Sequence, residues 1–172
     1  MNAPRVDSSC YVAPEAVIIG DVSLGKDCSV WSYAVLRADL SGITVSEGSS
    51  IQEHCQVHGN PGRSVNIGRY VTVGHGAIVH AATIGDEVVL GMNSSVLDGA
   101  EVGSGSVIGA NALVKEGEKI PEGCLVVGVP ARIIRQGDTT LREAARKNAE
   151  RYIQLARSHA RGEFVRHVPK RV

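Results

Sequence analysis

Residues 84–126 read IGDEVVLGMNSSVLDGAEVGSGSVIGANALVKEGEKIPEGCLV, and an aliphatic side chain returns at every sixth position: Ile84, Leu90, Val96, Val102, Ile108, Val114, Ile120 and Val126. Four residues after most of these comes a small or β-branched one: Val88, Ser94, Ala100, Ser106, Ala112, Cys124. Glycine directly follows the aliphatic position at Gly85, Gly91, Gly103 and Gly109. One five-residue step leads back to Val79, after which the period runs through Val73 and Ile67, then Val57 and Ile51. Beyond a less regular stretch it resumes at Leu36, Val30, Leu24, Ile18 and Val12. Self-similarity at a fixed period outranks local propensity as a guide to architecture. A six-residue unit is too short for a helix pair and fits one short strand plus a corner. The aliphatic residue and the small one point inward, and glycine relieves the turn. Three units then close one triangular coil, and stacked coils form parallel sheets on three faces, a parallel β-helix. An antiparallel sandwich would instead show turn signals at intervals of about 8–12 residues, and that spacing is absent.

Composition agrees. The chain has 172 residues, 20 of them glycine, and only six aromatic ones: Trp31, Phe164 and four tyrosines. Most cores of this size draw much of their buried area from rings, whereas this one has to be tiled from small β-branched side chains, which favour strands. Eighteen basic residues balance eighteen acidic ones, so charge gives no pull toward nucleic acid or an anionic membrane surface. No long apolar run predicts a transmembrane helix, and the MNAPRVDSS start has no signal-peptide core. The cysteines at 10, 28, 55 and 124 have no metal spacing. A reducing, cytoplasmic setting is the expectation. Cys28, Cys55 and Cys124 fall on the inward small position and read as apolar filler.

The organisation predicted is a lead-in over 1–11, the β-helix over 12–135, and a helix and tail over 136–172. After Pro130 the period changes. Thr140-Leu141-Arg142-Glu143 has the form of a capping box, with Asp138 and Thr139 just upstream. Leu141, Ala145, Tyr152, Leu155, Ala156 and His159 recur at helical spacing, predicting a helix over about 139–160 against the outside of the prism. The basic tail, Arg161 to Val172, reads as a solvated end, and His159 and His167 as surface residues.

Assigning successive units to faces A, B and C places Leu36, Val57 and Val79 on face A. The residues after them, Arg37, His58 and His80, then stack in one outward column at roughly the 4.8 Å spacing of adjacent strands. The four-residue excess between His58 and His80 is absorbed by the loop HGNPGRS (58–64). Two imidazoles on neighbouring coils can share a metal ion; the plainer reading is two surface histidines, with Arg37 and Asp39 an ordinary ion pair. His75 lies on face C, as does Gln52 one coil earlier. In a three-fold packing, face C of one copy would meet face A of the next, bringing His75 and Gln52 to the His58–His80 column.

LRADL (36–40), IQEHCQVH (51–58) and VTVGHGAIVH (71–80) resemble the signature of the γ-class carbonic anhydrases: an R-x-D step, a glutamine six residues before a histidine, then H-x4-H. The resemblance of the repeat itself, over about residues 12–131, implies left-handed winding; the signature implies a homotrimer with metal sites between subunits. His58, His75 and His80 would be the ligands and Gln52 would hydrogen-bond the metal-held solvent, with Arg37 and Asp39 organising the interface. The implied activity is reversible hydration of CO₂ to bicarbonate by metal-held hydroxide. Zinc in an all-imidazole site lowers the pKa of water to about 7, the general value for zinc-catalysed CO₂ hydration; Fe²⁺ or Co²⁺ would also suit such a site.

Two positions depart from the family's founding branch. Leu40 stands where that branch has a glutamate, and HGNPGRS is short and lacks the acid of a long loop that carries a proton-shuttling glutamate. Glu53 and Tyr152 are candidates for the proton transfer, and each also has a structural reading. The resemblance therefore points to a short-loop branch, which includes members with thioesterase activity. Two other functions fit the same prism: a hexapeptide acyltransferase, whose closing segment VVGVPARIIR (126–135) also resembles, and a trimeric scaffold stapled by metal without turnover.

Overall fold

A computed structural model describes residues 2–167 and shows a parallel β-helix of hexapeptide repeats followed by one helix, α1 (Thr139–Ala160). Seven parallel strands stack on face C, from Tyr11–Val12 through Ser50–Ile51 and Thr72–Val73 to Leu125–Val127, and Arg132–Arg135 closes that sheet antiparallel. Faces A and B form one continuous sheet, because Val17–Leu24 and Val35–Val45 run around the corner between them. Strand pairing reaches into the lead-in, where Arg5–Val6 pairs with Ser23–Leu24.

The interior is the tiling that the period implies. Leu36, Ile51, Val57, Ile67, Val73, Val79, Leu90 and Ile108 are fully buried, with Ala34, Cys55, Ala77 and Ala112 in the narrower corners. Trp31 stays outside the prism on face C, where its Nε1–H donates to the Ser29 and Ser50 hydroxyls at 3.1 and 3.0 Å.

The corner between faces A and B is uneven. Six residues separate Val96 from Val102, but nine separate Leu36 from Val45 and ten separate Val57 from Ile67. These two long corners lie one upon the other, tied by the Ser41 hydroxyl donating to the Arg63 carbonyl at 2.9 Å, and the second corner is closed on itself by a bridge between Asn60 and Arg63. Gly59 allows the contact, since a Cβ there would lie 2.1 Å from Ser41 Oγ. The extra residues carry Asp39 and Asn60 out over face A.

Helix α1 begins where the period change predicts, with a different cap. Asp138 is the N-cap and its carboxylate accepts the Thr140 N–H at 3.0 Å. Asp138 and Thr140 can both fill a cap in this sequence; the aspartate wins because Gly137, with φ +71°, turns the chain just ahead of it. The helix packs over the face C strands of the first coils, on its buried Ala145, Ala149 and Ala156. Asn148 donates to Thr72 Oγ1 at 2.9 Å, Arg157 pairs with Asp27 at 2.9 Å, and the Arg146 guanidinium sits 3.4 Å from the centre of the Tyr70 ring.

Two expectations change as a result. Face C of the early coils is covered by the chain's own helix, so it is not open to face A of another copy. His159 is no plain surface residue, because its ring stands edge-on to Trp31 at 5.0 Å and 4.6 Å from the ring of Phe164. His167 is exposed as expected. Of the basic tail, 168–172 lie outside the described residues; within them Arg161 pairs with Glu163 and Arg166 with Glu15. Among the described residues no helix is long and apolar enough to cross a membrane.

Candidate metal centre

Parallel pairing puts Arg37, His58 and His80 side by side in register on three consecutive coils. The neighbouring outward positions of the same strands are Val35, Gln56 and Ile78, so the polar column runs along one edge of face A. At that edge the corners leading to face B supply carboxylates, Asp39 from a long corner and Asp98 from a regular one. Asp39 Oδ1 lies 3.0 Å from His58 Nε2, and Asp39 Oδ2 accepts from Arg37 at 2.5 Å. On the other side, Asp98 Oδ1 takes a short hydrogen bond from His80 Nδ1, and Asn60 donates to Asp98 Oδ2.

The Arg37 hydrogen bond, then that of His58, holds the Asp39 carboxyl below the usual carboxylate range. The His80 hydrogen bond, aided by Asn60, does the same for Asp98. An ionised carboxylate only accepts, so His58 donates from Nε2 and His80 from Nδ1. In the neutral rings the remaining nitrogens, His58 Nδ1 and His80 Nε2, then carry bare lone pairs, and these two face each other at 3.2 Å. Two lone pairs at that distance repel unless a cation lies between them. Two imidazoles on one tetrahedral zinc, at about 2.0–2.1 Å each, would hold their nitrogens about 3.3 Å apart. The donor set therefore fits a metal ion, and each ring's far nitrogen is already fixed by a carboxylate, as metal-binding histidines require.

His75 lies at the opposite edge of face A, on the corner that joins it to face C. Gly74 and Gly76 flank it; a Cβ on Gly74 would lie 2.7 Å from the Leu90 carbonyl oxygen, and Gly76 has φ +70°. The His75 side chain is exposed, with Nδ1 2.7 Å from Glu53 Oε2. Gln52, although outward in sequence position, is buried, and its Oε1 accepts the His75 backbone N–H at 3.1 Å. Its amide nitrogen is the end left to donate. Among the described residues, no group of three or more His, Cys, Asp and Glu side chains within one chain is arranged to hold a metal. One chain thus brings together His58, His80, Arg37 and Asp39 at one edge of face A, and Gln52, Glu53 and His75 at the other.

Tyr152 packs edge-on to Trp31 at 6.1 Å, on the helix over face C. His54, beside Gln52 in sequence, stacks on Tyr33 at 5.3 Å. Asp98 and Asn60 were not singled out by motif reading. A signal was present: Asp98 follows His80 by one 18-residue coil, so coil arithmetic alone would have placed it next to that ring.

A family model for the bacterial transferase hexapeptide (six repeats) matches residues 81–116. The chain is 46% identical over 151 residues to a probable carbonic anhydrase of Methanocaldococcus jannaschii, covering 88% of this chain and 95% of that protein. It is 38% identical to the mitochondrial gamma carbonic anhydrase 1 of Arabidopsis thaliana, over 92% of this chain and 60% of the plant protein. Among solved structures, a hexapeptide transferase family protein from Anaplasma phagocytophilum superposes with a TM-score of 0.86 at 40% identity, over 90% of this chain and 92% of that one. With a near-full-length relative at that identity and the histidine column carried on a hexapeptide-repeat prism, the chain belongs to the γ-carbonic anhydrase family of hexapeptide-repeat β-helices.

Proposed function

We propose that the protein is a metal-dependent CO₂ hydrase working as a homotrimer, with each metal ion held by His58 and His80 of one subunit and His75 of the next. The observation that carries this reading is the pair of bare nitrogens 3.2 Å apart, each ring oriented by its own carboxylate. With two ligands at one edge of face A and the third at the other, a site closes only where edges of two copies meet.

A bound Zn²⁺, with Fe²⁺ or Co²⁺ as alternatives, would supply the Lewis acidity that lets water attack CO₂ at neutral pH. The rest is the work of the chain. Asp39 and Asp98 keep the histidine protons on the far nitrogens, and Arg37 keeps Asp39 ionised. Glu53 fixes His75 through Nδ1, leaving Nε2 as its ligating atom. Gln52, its oxygen anchored on the His75 N–H, offers an amide proton to an oxygen of the reacting species. Proton export falls to groups outside the ligand set, since the loop after His58 has no acid. Glu53 sits against His75, nearer the site than Tyr152 on α1.

The acyltransferase reading draws on the transferase name of the solved relative. Against it stands the His58–His80 pair, which an acyl transfer does not need. A stapled scaffold would use the same ligands without turnover. Metal analysis of protein purified anaerobically, paired with stopped-flow CO₂ hydration, separates the three. About one ion per chain with hydration supports the proposal. Metal without hydration supports the scaffold. Absence of metal after reconstitution overturns both.

A further inference from the structure

Two thiols at the N-terminal end of the prism have no part in that site. Tyr11 pairs with Ser29 and Val12 with Val30, so Cys10 and Cys28 hold equivalent positions on the first two coils. Adjacent strands lie about 4.8 Å apart, inside the roughly 4.4–6.8 Å Cα range that a disulfide spans. Both side chains point inward; Cys10 packs against the core cluster that contains Cys28. Each thiol donates to a carbonyl one coil further on, Cys10 to Gly25 and Cys28 to Ser46, both at 3.1 Å. All four cysteines are free. Cys55 and Cys124 have Ala77 and Ser106 at the matching position of the neighbouring coil, so neither has a thiol partner.

The two thiols are chemically unequal. The neighbouring Cys28 side chain lowers the Cys10 thiol from its ordinary value, and the closeness of Cys10, with burial, pushes Cys28 up. Cys10 is also the more exposed of the two. A half-exposed thiol with increased thiolate character beside a buried resolving thiol is the arrangement of an oxidation-sensitive pair.

The geometry points to Cys10 and Cys28 as a peroxide-reactive pair that closes to a disulfide and staples the first coil to the second. The Cys10 thiolate attacks one peroxide oxygen, the O–O bond breaks, and the leaving hydroxide takes up a proton as water. The Cys28 sulfur then attacks the Cys10 sulfenic acid and gives up its proton; the S–S bond forms and a second water leaves. Two thiols are oxidised by two electrons in all, and one hydrogen peroxide is reduced. The first coil has a neighbour on one side only and carries Tyr11, whose ring meets Trp31 and His159 beneath α1. A staple there would restrain the open end of the prism and the helix resting on it.

The test is to treat the full-length protein with stoichiometric hydrogen peroxide, alkylate it without reductant and map peptides by mass spectrometry. The expected product is a Cys10–Cys28 cross-linked peptide lacking two hydrogens, reversed by dithiothreitol, with Cys55 and Cys124 recovered as thiols. The oxidised protein should melt at a higher temperature than the reduced one. In Cys28→Ser, Cys10 should instead be trapped as a sulfenic acid adduct by dimedone. Sulfinic acid on Cys10 without a cross-link, a cross-link between two chains, or unreacted Cys10 would each overturn the proposal.

Discussion

His58 Nδ1 lies 3.2 Å from His80 Nε2, while the opposite nitrogen of each ring is held by a carboxylate, Asp39 for His58 and Asp98 for His80. Neither ring can turn its bare nitrogen away without breaking the hydrogen bond behind it. His80→Ala should therefore abolish stoichiometric metal binding and leave the prism intact, because the ring stands on the outer surface. Metal content by plasma mass spectrometry and circular dichroism check the two halves of that expectation.

Among the described residues the Asp98 carboxylate hydrogen-bonds to the side chains of His80 and Asn60, and of these His80 is the ligand, so the effect of Asp98 on metal should pass through that ring. Asp98→Ala should weaken metal affinity by about 10–100-fold, the usual cost of losing a carboxylate behind a ligating histidine. Asp98→Asn, which keeps an acceptor but loses the charge, should fall between Ala and wild type. Competition against a chromophoric chelator reads the affinity directly. Equal affinities in all three proteins would reduce Asp98 to a loop contact with Asn60.

These residues differ in how plainly the sequence announces them. Arg37, His58 and His80 are legible because inward aliphatic residues set the coil register, and register places outward neighbours. Asp98 obeys the same arithmetic but belongs to no short motif. The covering of face C was not legible: helical spacing shows which side of α1 is apolar, and says nothing of which prism face will receive it. What decides that is the outer surface of face C, with Ser29, Ser50 and Thr72 small enough for the helix to approach and Trp31 at its edge. The cap was ambiguous for a similar reason, since Asp138 and Thr140 both suit an N-cap until the backbone turn at Gly137 chooses between them.

Asp138 gives a pH prediction. Hydrogen bonds from the Thr140 hydroxyl, then from Arg135, hold its carboxyl below the ordinary carboxylate value. A depressed folded-state pKa contributes stability that is complete above the unfolded value of about 3.9 and is lost as pH falls through the folded value. Helix α1 should thus lose protection below about pH 4. Asp138→Asn keeps a good cap but removes this titration, so its helix should show a flatter acid limb. Amide exchange of the first turn, followed against pH in both proteins, measures the difference.

The interior should be as intolerant as its tiling suggests. Leu90 is fully buried between the coils of Val73 and Ile108. Leu90→Ala leaves a void that the hydrogen-bonded coils cannot collapse into, and should cost about 2–5 kcal/mol. Urea denaturation compared with wild type gives the value. A loss well under 1 kcal/mol would mean that the prism relaxes far more than close-packed interiors do.

The strongest test of the assembly uses two inactive proteins. If metal lies between His58 and His80 of one subunit and His75 of the next, His75→Ala and His58→Ala trimers should each bind no metal stoichiometrically, since every interface lacks one ligand. Unfolding the two together and refolding the mixture gives trimers with both kinds of subunit. Wherever the intact His75 edge of a His58→Ala chain meets the intact His58–His80 edge of a His75→Ala chain, a complete set returns. Mixed trimers separated by differently charged tags should therefore regain metal at some interfaces, and hydration with it, while each parent alone stays empty. Recovery cannot come from sites within single chains, because no chain in the mixture has all three histidines. Verified mixed trimers without metal would rule out ligation shared across the interface and leave His58 and His80 to bind with some other group.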